Sequence, residues 1–259
     1  MIQYRRIMEG VIMHTNERFD LILDYLKMHK RATVADLSKL VYVSEATVRR
    51  DLNEMQRLGL LRRTHGGAMY SDGSEEVSIF VRQEVNATGK EVTASIALSH
   101  LPDFHTIFID NSSTCLALVQ RMNLQHKVAV TNGIQAATWL VQQDDVQVIM
   151  PGGELKLNTG FTGSTACNAL RGFRFDVMLC SCAAIDMEGT YENSLAVKEL
   201  KVTAMDLSDC CILITDKTKF SLKAPYHTVS LRKYDYIFTD AEDELLSPYR
   251  EAGLQIINR

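Results

Sequence analysis

The sequence lacks several features that would assign it to other classes of protein. No hydrophobic run among its 259 residues approaches the length needed to span a bilayer, and a secretory signal pattern is absent, so we expect a cytoplasmic protein without a membrane segment. None of the six cysteines is paired at the C-x-x-C spacing of a zinc site. This predicts buried, reduced thiols and neither a metal nor a cofactor.

Net positive charge is also missing, because the chain carries a formal charge of -4, but the charge is unevenly distributed. Residues 13–70 contain ten basic and seven acidic side chains, a net charge of +3, whereas residues 71–259 carry a net -8. A basic segment joined to an acidic one is typical of a protein that presents one end to phosphates.

The basic segment contains an amphipathic helix, which we predict over residues 44–58. Its apolar stripe is formed by Val48, Leu52, Met55 and Leu58, which leaves the opposite face polar and free. Ser44 is suited to cap the helix start. Arginine is well shaped for bidentate contact with guanine or phosphate. The side chains that we expect to contact DNA are Ser44, Glu45, Thr47, Arg49, Arg50 and Asn53. An ordinary amphipathic surface helix is the alternative.

The flanking residues predict a winged helix-turn-helix. One amphipathic helix spans residues 17–28, and Thr33 caps a second helix whose inner face is Val34, Leu37 and Leu40, followed by a turn over residues 41–43. After a helix stop at Gly59, two short strands with a glycine tip would form a wing. The wing would place Arg62, Arg63 and His65 near the phosphate backbone.

These residues resemble the DNA-binding signature of a known family. Val43-Ser44, Thr47 to Leu52, Gly59-Leu60 and His65 to Ala68 are similar to the signature of the DeoR family of bacterial transcriptional regulators. The resemblance implies a winged helix-turn-helix that binds double-stranded operator DNA near carbohydrate or nucleoside genes, most often as a repressor.

The segment boundaries follow from composition. Residues 1–12 hold no capped or periodic element, and purine-rich codons for Glu9 to Val11 would suit a ribosome-binding site, so we predict a non-native extension with Met13 as the native start. A native arm, disordered or helical, is the alternative. Residues 13–70 are predicted to form the winged helix-turn-helix, residues 71–87 a linker, and residues 88–259 the effector-binding domain.

The C-terminal part predicts an α/β domain with a mainly parallel sheet. Short apolar runs alternate with helical stretches, which is typical of βαβ units covered on both faces. The predicted strands are Thr106–Asp110, Val128–Asn132, Val146–Gly153, Val177–Ser181, Cys211–Asp216 and Tyr236–Asp240. Ligands bind such sheets beyond the carboxyl ends of the strands.

Polar and glycine residues follow the predicted strand ends, where they would bind an anion. Hydroxyls and free amides suit phosphate, and glycine permits a close approach of the backbone. The residues that we predict to bind the effector are Asp110, Asn111, Ser112, Ser113, Thr114, Thr131, Asn132, Gly152, Gly153, Asp186 and Lys219. Lys219 would supply a counter-charge, with Asp216 orienting it. Ordinary strand-to-helix turns and a solvated charged loop are the alternatives.

These stretches also resemble the effector domain of the DeoR family, in a correspondence that includes Arg82 and Lys90. The resemblance implies a fold similar to ribose-5-phosphate isomerase and a domain that binds a phosphorylated sugar. One departure concerns residues 180–184, Cys-Ser-Cys-Ala-Ala, where the family usually has a glycine-containing segment. Another is Lys198-Glu199, where the family's glutamate is shifted by one position.

The leading hypothesis is therefore a regulator, most often a repressor, of carbohydrate genes. A single winged helix buries little surface, so we expect a homo-oligomer, either a dimer or a tetramer. A sugar-phosphate isomerase is an alternative, but no histidine stands at a strand end beside Asp110, Asp186 or Asp216 to complete an acid-base pair, and we predict no enzyme. A regulator that has lost its effector response is the third possibility.

Overall fold

The computed structural model describes residues 15–58, 60–70, 78–156 and 160–259. The chain divides into two compact units, Met1–Asp72 and Gly73–Arg259, which are described separately. The predicted extension over residues 1–12, the start at Met13 and the helix stop at Gly59 lie outside the described residues. None of the helices in the described ranges is long and apolar enough to cross a membrane.

The first unit contains three helices and a small antiparallel sheet. Its elements are α1 (Thr15–His29), β1 (Arg31–Thr33), α2 (Val34–Val41), α3 (Glu45–Arg57), β2 (Leu61–Thr64) and β3 (Gly67–Tyr70). The strand order is β1-β3-β2. The helix-turn-helix and the two wing strands were predicted, whereas β1 was not, because three residues between two helices are too few to show strand periodicity.

Local caps define where α2 and α3 begin. The amide of Asp36 donates to Thr33 Oγ1 at 3.1 Å and the amide of Thr33 donates to Asp36 Oδ2 at 3.2 Å, which forms a capping box. The amide of Thr47 donates to Ser44 Oγ at 3.2 Å. Both predicted N-caps are therefore confirmed, and α3 starts where the sequence indicated.

The core of the first unit joins all three helices to the wing. Its buried side chains are Ile22, Leu26, Val34, Leu37, Val41, Val48, Leu52, Met55, Leu61 and Ala68. The predicted inner face of α2 is confirmed, because Val34 and Leu37 are buried in the core and the half-buried Leu40 packs against it. Val41, predicted in the turn, is buried at the end of the helix, which stops where Tyr42 adopts the left-handed conformation (φ 52°).

The second unit is a seven-stranded parallel sheet with helices on both faces and two smaller sheets. Its helices are α4 (Ile79–Glu84), α5 (Ala87–Leu98), α6 (Ser113–Val119), α7 (Ile134–Leu140), α8 (Ser164–Leu170), α9 (Leu195–Met205) and α10 (Asp243–Glu251). Its strands are β4 (Thr106–Ile109), β5 (Val128–Thr131), β6 (Gln147–Ile149), β7 (Glu154–Lys156), β8 (Gly160–Thr162), β9 (Phe175–Cys180), β10 (Ala184–Ile185), β11 (Thr190–Glu192), β12 (Ser208–Ile214), β13 (Tyr226–His227), β14 (Tyr236–Phe238) and β15 (Ile256–Ile257).

The large sheet has the order β15-β14-β12-β9-β4-β5-β6, and every neighbouring pair is parallel. The predicted α/β class with a mainly parallel sheet is therefore confirmed. The chain builds outward from β4 through β5 and β6, then returns to place β9 on the other side of β4. The crevice at the carboxyl ends of β4 and β9 is thus the topological switch point of the sheet.

Two parts of the second unit differ from the prediction. The strand predicted over Val146–Gly153 is only Gln147–Ile149, the three residues that pair with β5, and Gly152 and Gly153 beyond it have positive φ angles (70° and 119°) that extended backbone does not adopt. Helix α4 lies inside the segment predicted as a linker. Its Ile79 is buried with Leu116 and Ala136 of the second unit. The domain boundaries otherwise stay predictions.

Candidate DNA interface and effector site

The polar face of α3 is open, as a DNA-reading helix requires. Ser44, Glu45, Arg49, Arg50 and Asn53 are exposed and Thr47 is half-buried, while on the wing Arg62 and His65 are exposed and Arg63 is half-buried. The opposite face of α3 packs Val48, Leu52 and Met55 into the core. One face of α3 therefore anchors the helix to the core, and the other face is accessible to DNA.

Arg49 and Glu45 form an ion pair along the exposed face of α3. Arg49 Nη2 lies 2.7 Å from Glu45 Oε2, and both side chains are about half exposed, at 55% and 47%. An exposed pair at this helical spacing contributes only about 0.3 to 0.5 kcal/mol. Arg49 can therefore leave Glu45 for a base or a phosphate at little cost.

Arg63, predicted near the phosphate backbone, directs its guanidinium group at α3. Arg63 Nη1 donates to Asn53 Oδ1 at 2.6 Å and to the carbonyl oxygen of Arg49 at 3.2 Å. The amide of Arg63 donates to Gln56 Oε1 at 2.8 Å. The structure therefore brings two predicted DNA contacts, Arg63 and Asn53, together with each other. Gln56 was missed.

A buried ion pair that the sequence reasoning also missed anchors α3 to α1. Arg18 Nε and Nη2 donate to Asp51 Oδ2 and Oδ1 at 2.8 and 3.0 Å, and the hydrogen bond with Asp51 raises the pKa of Arg18. The position of Asp51 was the available signal. It lies three residues after Val48 on the inward stripe of α3, where a carboxylate needs a partner.

The predicted effector residues that follow β4 and β5 lie at the carboxyl edge of the large sheet, and Asp110 occupies the switch point. Asp110 Oδ1 accepts a hydrogen bond from the amide of Ser112 at 2.9 Å, and Oδ2 accepts one from the amide of Ser181 at 3.0 Å. Ser112 caps α6 by accepting from the amide of Cys115 at 3.1 Å. Ser113 and Thr114 are buried. The carboxylate therefore shapes the turn and joins the ends of β4 and β9.

Lys201 and Glu192, two residues that were not predicted, lie beside Asp110. Lys201 Nζ is 3.0 Å from Asp110 Oδ2 and 2.5 Å from the carbonyl oxygen of Ser181, and it also bonds Glu192 Oε1. All three charged residues are buried. The two carboxylates raise the pKa of Lys201 well above its ordinary value, against the effect of burial. Lys201 is therefore a charged and fully hydrogen-bonded support beneath the site.

Two asparagines at the sheet edge have unsatisfied polar atoms. Within the described residues, Asn111 Nδ2 and Asn132 Oδ1 are buried without a hydrogen-bond partner. They follow adjacent strands β4 and β5, and the carbonyl oxygen of Asn111 accepts from Arg82 Nη2 at 3.2 Å. A buried unpaired donor and a buried unpaired acceptor, which follow the ends of two adjacent strands, suit a ligand that supplies both groups, such as a hydroxyl.

Of the two predicted glycines, Gly153 has a packing role as well. A Cβ atom at Gly153 would lie 2.6 Å from the carbonyl oxygen of Thr162, and the φ of Gly153 is 119°. Glycine is thus required there by the β7-β8 hairpin. A Cβ at Gly152, by contrast, would meet nothing within 4 Å. Thr131 is buried at the end of β5, and its Oγ1 accepts from the amide of Gly133 at 3.0 Å.

Basic side chains gather around Asp216 at the end of β12. Burial lowers the pKa of Lys90 to about 8, while Asp216 raises it and Lys219 and Arg82 lower it further. Asn86 Nδ2 donates to Asp216 Oδ1 at 2.8 Å, and Asp216 Oδ2 is buried without a partner in the described part of the chain. Lys219, predicted from sequence, therefore stands in a cluster with the family-like residues Arg82 and Lys90.

Asp186 follows β10, which is not a strand of the large sheet. Its Oδ1 accepts hydrogen bonds from the amides of Glu188 and Gly189 at 2.9 and 3.2 Å and from the hydroxyl of Tyr191 at 3.2 Å. These bonds all lie within the β10-β11 turn. The carboxylate therefore stabilises its own turn, and its part in effector binding stays a prediction.

The departure at residues 180–184 places a thiol beside the basic cluster. Cys182 is buried with Sγ 3.5 Å from Thr215 Oγ1, and burial raises its pKa to about 12 while Lys201 and Lys219 lower it. The thiol therefore stays neutral. All six cysteines are free, and five of them are buried.

Known protein families match both units of the structure. The family model described as the DeoR C terminal sensor domain matches residues 85–241, and that of the DeoR-like helix-turn-helix domain matches residues 18–73. An L-fucose operon activator from Haemophilus influenzae is 32% identical, over 87% of this chain and 92% of its own length.

A glycerol-3-phosphate regulon repressor from Escherichia coli K12 is 28% identical, over 88% of this chain and 92% of its own length. Among solved structures, ribose 5-phosphate isomerase A from Methanocaldococcus jannaschii matches with a TM-score of 0.37 and 11% identity, over 52% of this chain and 55% of that one. The sensor-domain match alone covers more than half of the chain, and the chain therefore belongs to the DeoR family of transcriptional regulators.

Proposed function

We propose that this regulator represses carbohydrate genes by binding operator DNA through α3 and its wing, and that a phosphorylated sugar bound at the carboxyl edge of the large sheet changes its DNA affinity. In this proposal, Arg49 and Arg50 contact bases or phosphates, with Ser44, Glu45 and Thr47 beside them. Arg62 and His65 contact the phosphate backbone. These side chains are exposed or half-buried.

The observation that carries the effector proposal is the pair of unsatisfied amide atoms, Asn111 Nδ2 and Asn132 Oδ1. Leaving a buried polar group unpaired costs about 1 to 3 kcal/mol. A ligand hydroxyl would satisfy both atoms, accepting from Asn111 and donating to Asn132. Lys219 would supply the positive charge for a phosphate, and Lys90, whose ammonium donates to the carbonyl oxygens of Arg82 and Val85, would add to the positive potential there. A sugar that carries a phosphate combines these two groups.

The names of two relatives support target genes of carbohydrate metabolism, and one of these names contains a phosphorylated compound. The Escherichia coli relative is named as a repressor of a glycerol-3-phosphate regulon and the Haemophilus relative as an activator of an L-fucose operon. We extend to this chain the regulation of carbohydrate genes and a phosphorylated effector. Repression is the direction that we propose.

A symmetric oligomer is part of the proposal. One winged helix buries too little surface for tight specific binding, and a symmetric operator matches a protein with two identical reading heads. We propose a dimer or a tetramer. Sedimentation of the full chain, alone and with operator, would test this part separately.

The effector half is tested by ligand binding to the full-length protein. Calorimetric titration with a panel of pentose and hexose phosphates should give saturable binding for one of them, and its unphosphorylated parent sugar should bind far more weakly. Lys219→Ala should weaken phosphate-dependent binding, whereas Lys223→Ala, which changes an exposed lysine nearby, should not. Equal binding of a phosphorylated sugar and its parent would reject a phosphate site.

A further inference from the structure

The wing and α3 are connected by a side-chain clasp, which consists of Arg63, Asn53 and Gln56. Arg63 Nη1 reaches both Asn53 Oδ1 (2.6 Å) and the Arg49 carbonyl oxygen (3.2 Å). The backbone amide of Arg63 donates to Gln56 Oε1 (2.8 Å). Three hydrogen bonds from one wing residue thus end on three successive turns of α3.

Strand alternation explains why Arg63 points at α3 and Arg62 does not. Side chains two residues apart in a strand lie on the same face, and Leu61 of β2 is buried in the core against α3. Arg63 therefore shares the inward face with Leu61, whereas Arg62 is exposed on the other face. Arg63 Nε is shielded from solvent.

The clasp also provides a hydrogen-bond acceptor for a backbone amide at the edge of the small sheet. Strand β2 is an outer strand in the order β1-β3-β2, so some of its amides have no strand partner. Gln56 Oε1 takes the amide of Arg63 in place of a neighbouring strand. The wing is therefore attached to the reading helix by backbone and side-chain bonds together.

We propose that Arg63 and Asn53 are positioning residues, which make α3 and the wing meet DNA as one rigid body, and that neither side chain contacts DNA directly. This inference rests on the proposed DNA binding. Under this proposal, Arg63 and Asn53 no longer belong to the DNA contacts that were expected from the sequence. It assigns the phosphate contact of β2 to Arg62.

Salt dependence separates a positioning residue from a phosphate contact. Each phosphate contact that is lost lowers the slope of log affinity against log salt by about 0.9. Loss of positioning weakens affinity at every salt concentration and leaves the slope unchanged. The adjacent Arg62 provides a matched control, because it has the same charge on the same strand.

The experiment measures the affinity of the full chain for a duplex from upstream of its own gene, from about 50 to 200 mM salt. Arg62→Gln should lower both the affinity and the slope, the latter by about 0.9. Arg63→Gln should lower the affinity about tenfold, as expected for losing a hydrogen bond of a charged group, with the slope of the wild type. Asn53→Ala should do the same, and the double variant should be no weaker than Arg63→Gln alone.

Two results would overturn the proposal. A slope reduction in Arg63→Gln equal to that of Arg62→Gln would make Arg63 a phosphate contact, and unchanged affinity in Arg63→Gln would deny it a positioning role. The contact itself is tested without DNA, by a double-mutant cycle of Asn53→Ala and Arg63→Gln on the unfolding of the first unit, where additive losses would contradict the clasp. Should the wild type fail to bind any duplex, the proposed function would fail, while the cycle would still decide the contact.

Discussion

Lys201 Nζ lies 3.0 Å from Asp110 Oδ2, which connects α9 to the carboxyl end of β4. The same ammonium group also bonds the carbonyl oxygen of Ser181 and the carboxylate of Glu192. One buried cation therefore supports the two strand ends that form the switch point of the sheet. The candidate effector site depends on this support for its shape.

Removing the cation should destabilise the second unit strongly. Lys201→Met leaves two buried carboxylates without their counter-ion, which typically costs about 3 to 5 kcal/mol. Lys198→Met is the control, because Lys198 is half-buried on the same helix and a change there should stay within about 0.5 kcal/mol. Urea unfolding of both variants measures the difference. Equal losses would contradict the role of Lys201.

Glu192 should give the second unit a specific pH dependence. Burial raises its pKa above the ordinary 4.5, because one lysine cannot fully offset two carboxylates and Asp110 has the additional amide donors. Its protonated form therefore contributes stability that is fully present below the unfolded pKa and is lost as the pH rises through the raised folded pKa. The variant Glu192→Gln has a neutral amide at this position, which does not titrate.

The measurement is the unfolding free energy of the wild type and of Glu192→Gln from pH 4 upward, where pH 4 lies just below the ordinary pKa of 4.5. The difference, wild type minus variant, should fall as the pH rises. A difference that grows with pH would mean that the folded pKa is lowered instead.

Asn111 should be needed for the response to the sugar phosphate but not for the stability of the fold. Asn111→Leu removes a buried donor that has no partner in the described residues, so the melting temperature should stay the same or rise. The response to the sugar phosphate should be lost, because the ligand hydroxyl would lose its donor. Asn168→Leu, which changes an exposed residue of α8, should retain the response. A normal response in Asn111→Leu would exclude this contact.

Arg49 should affect DNA binding without affecting stability. Arg49→Ala removes an exposed ion pair with Glu45, and Lys27→Ala removes a comparable pair with Asp24, so each should change stability by less than about 0.5 kcal/mol. Only Arg49→Ala should weaken operator binding, by about 1 to 3 kcal/mol if Arg49 reads a base. Equal operator affinity in the two variants would remove Arg49 from the reading set.

Features set by neighbouring residues were predictable from the sequence. The Ser44 and Thr33 caps depend on contacts three residues away, and the strands of the parallel sheet depend on continuous apolar runs. These local patterns also located Asp110 and Asn132 at strand ends. The family resemblance added Arg82 and Lys90 to the basic cluster.

Long-range pairings could not be predicted in this way. Lys201 meets Asp110, and Arg18 meets Asp51, only after the chain has folded, and no local period links them. Arg63 is an intermediate case. Its alternation with the buried Leu61 is present in the sequence, but alternation alone does not show that its guanidinium group reaches Asn53 and the carbonyl oxygen of Arg49.

Operator affinity measured with and without effector tests the central claim most directly. Fluorescence anisotropy of a labelled duplex from upstream of the neighbouring genes should show salt-sensitive binding of the full-length protein, and one phosphorylated sugar should shift the affinity by about 5- to 150-fold, a typical allosteric coupling. Operator affinity that stays constant across the entire panel of sugar phosphates, or binding that is insensitive to salt, would contradict the account.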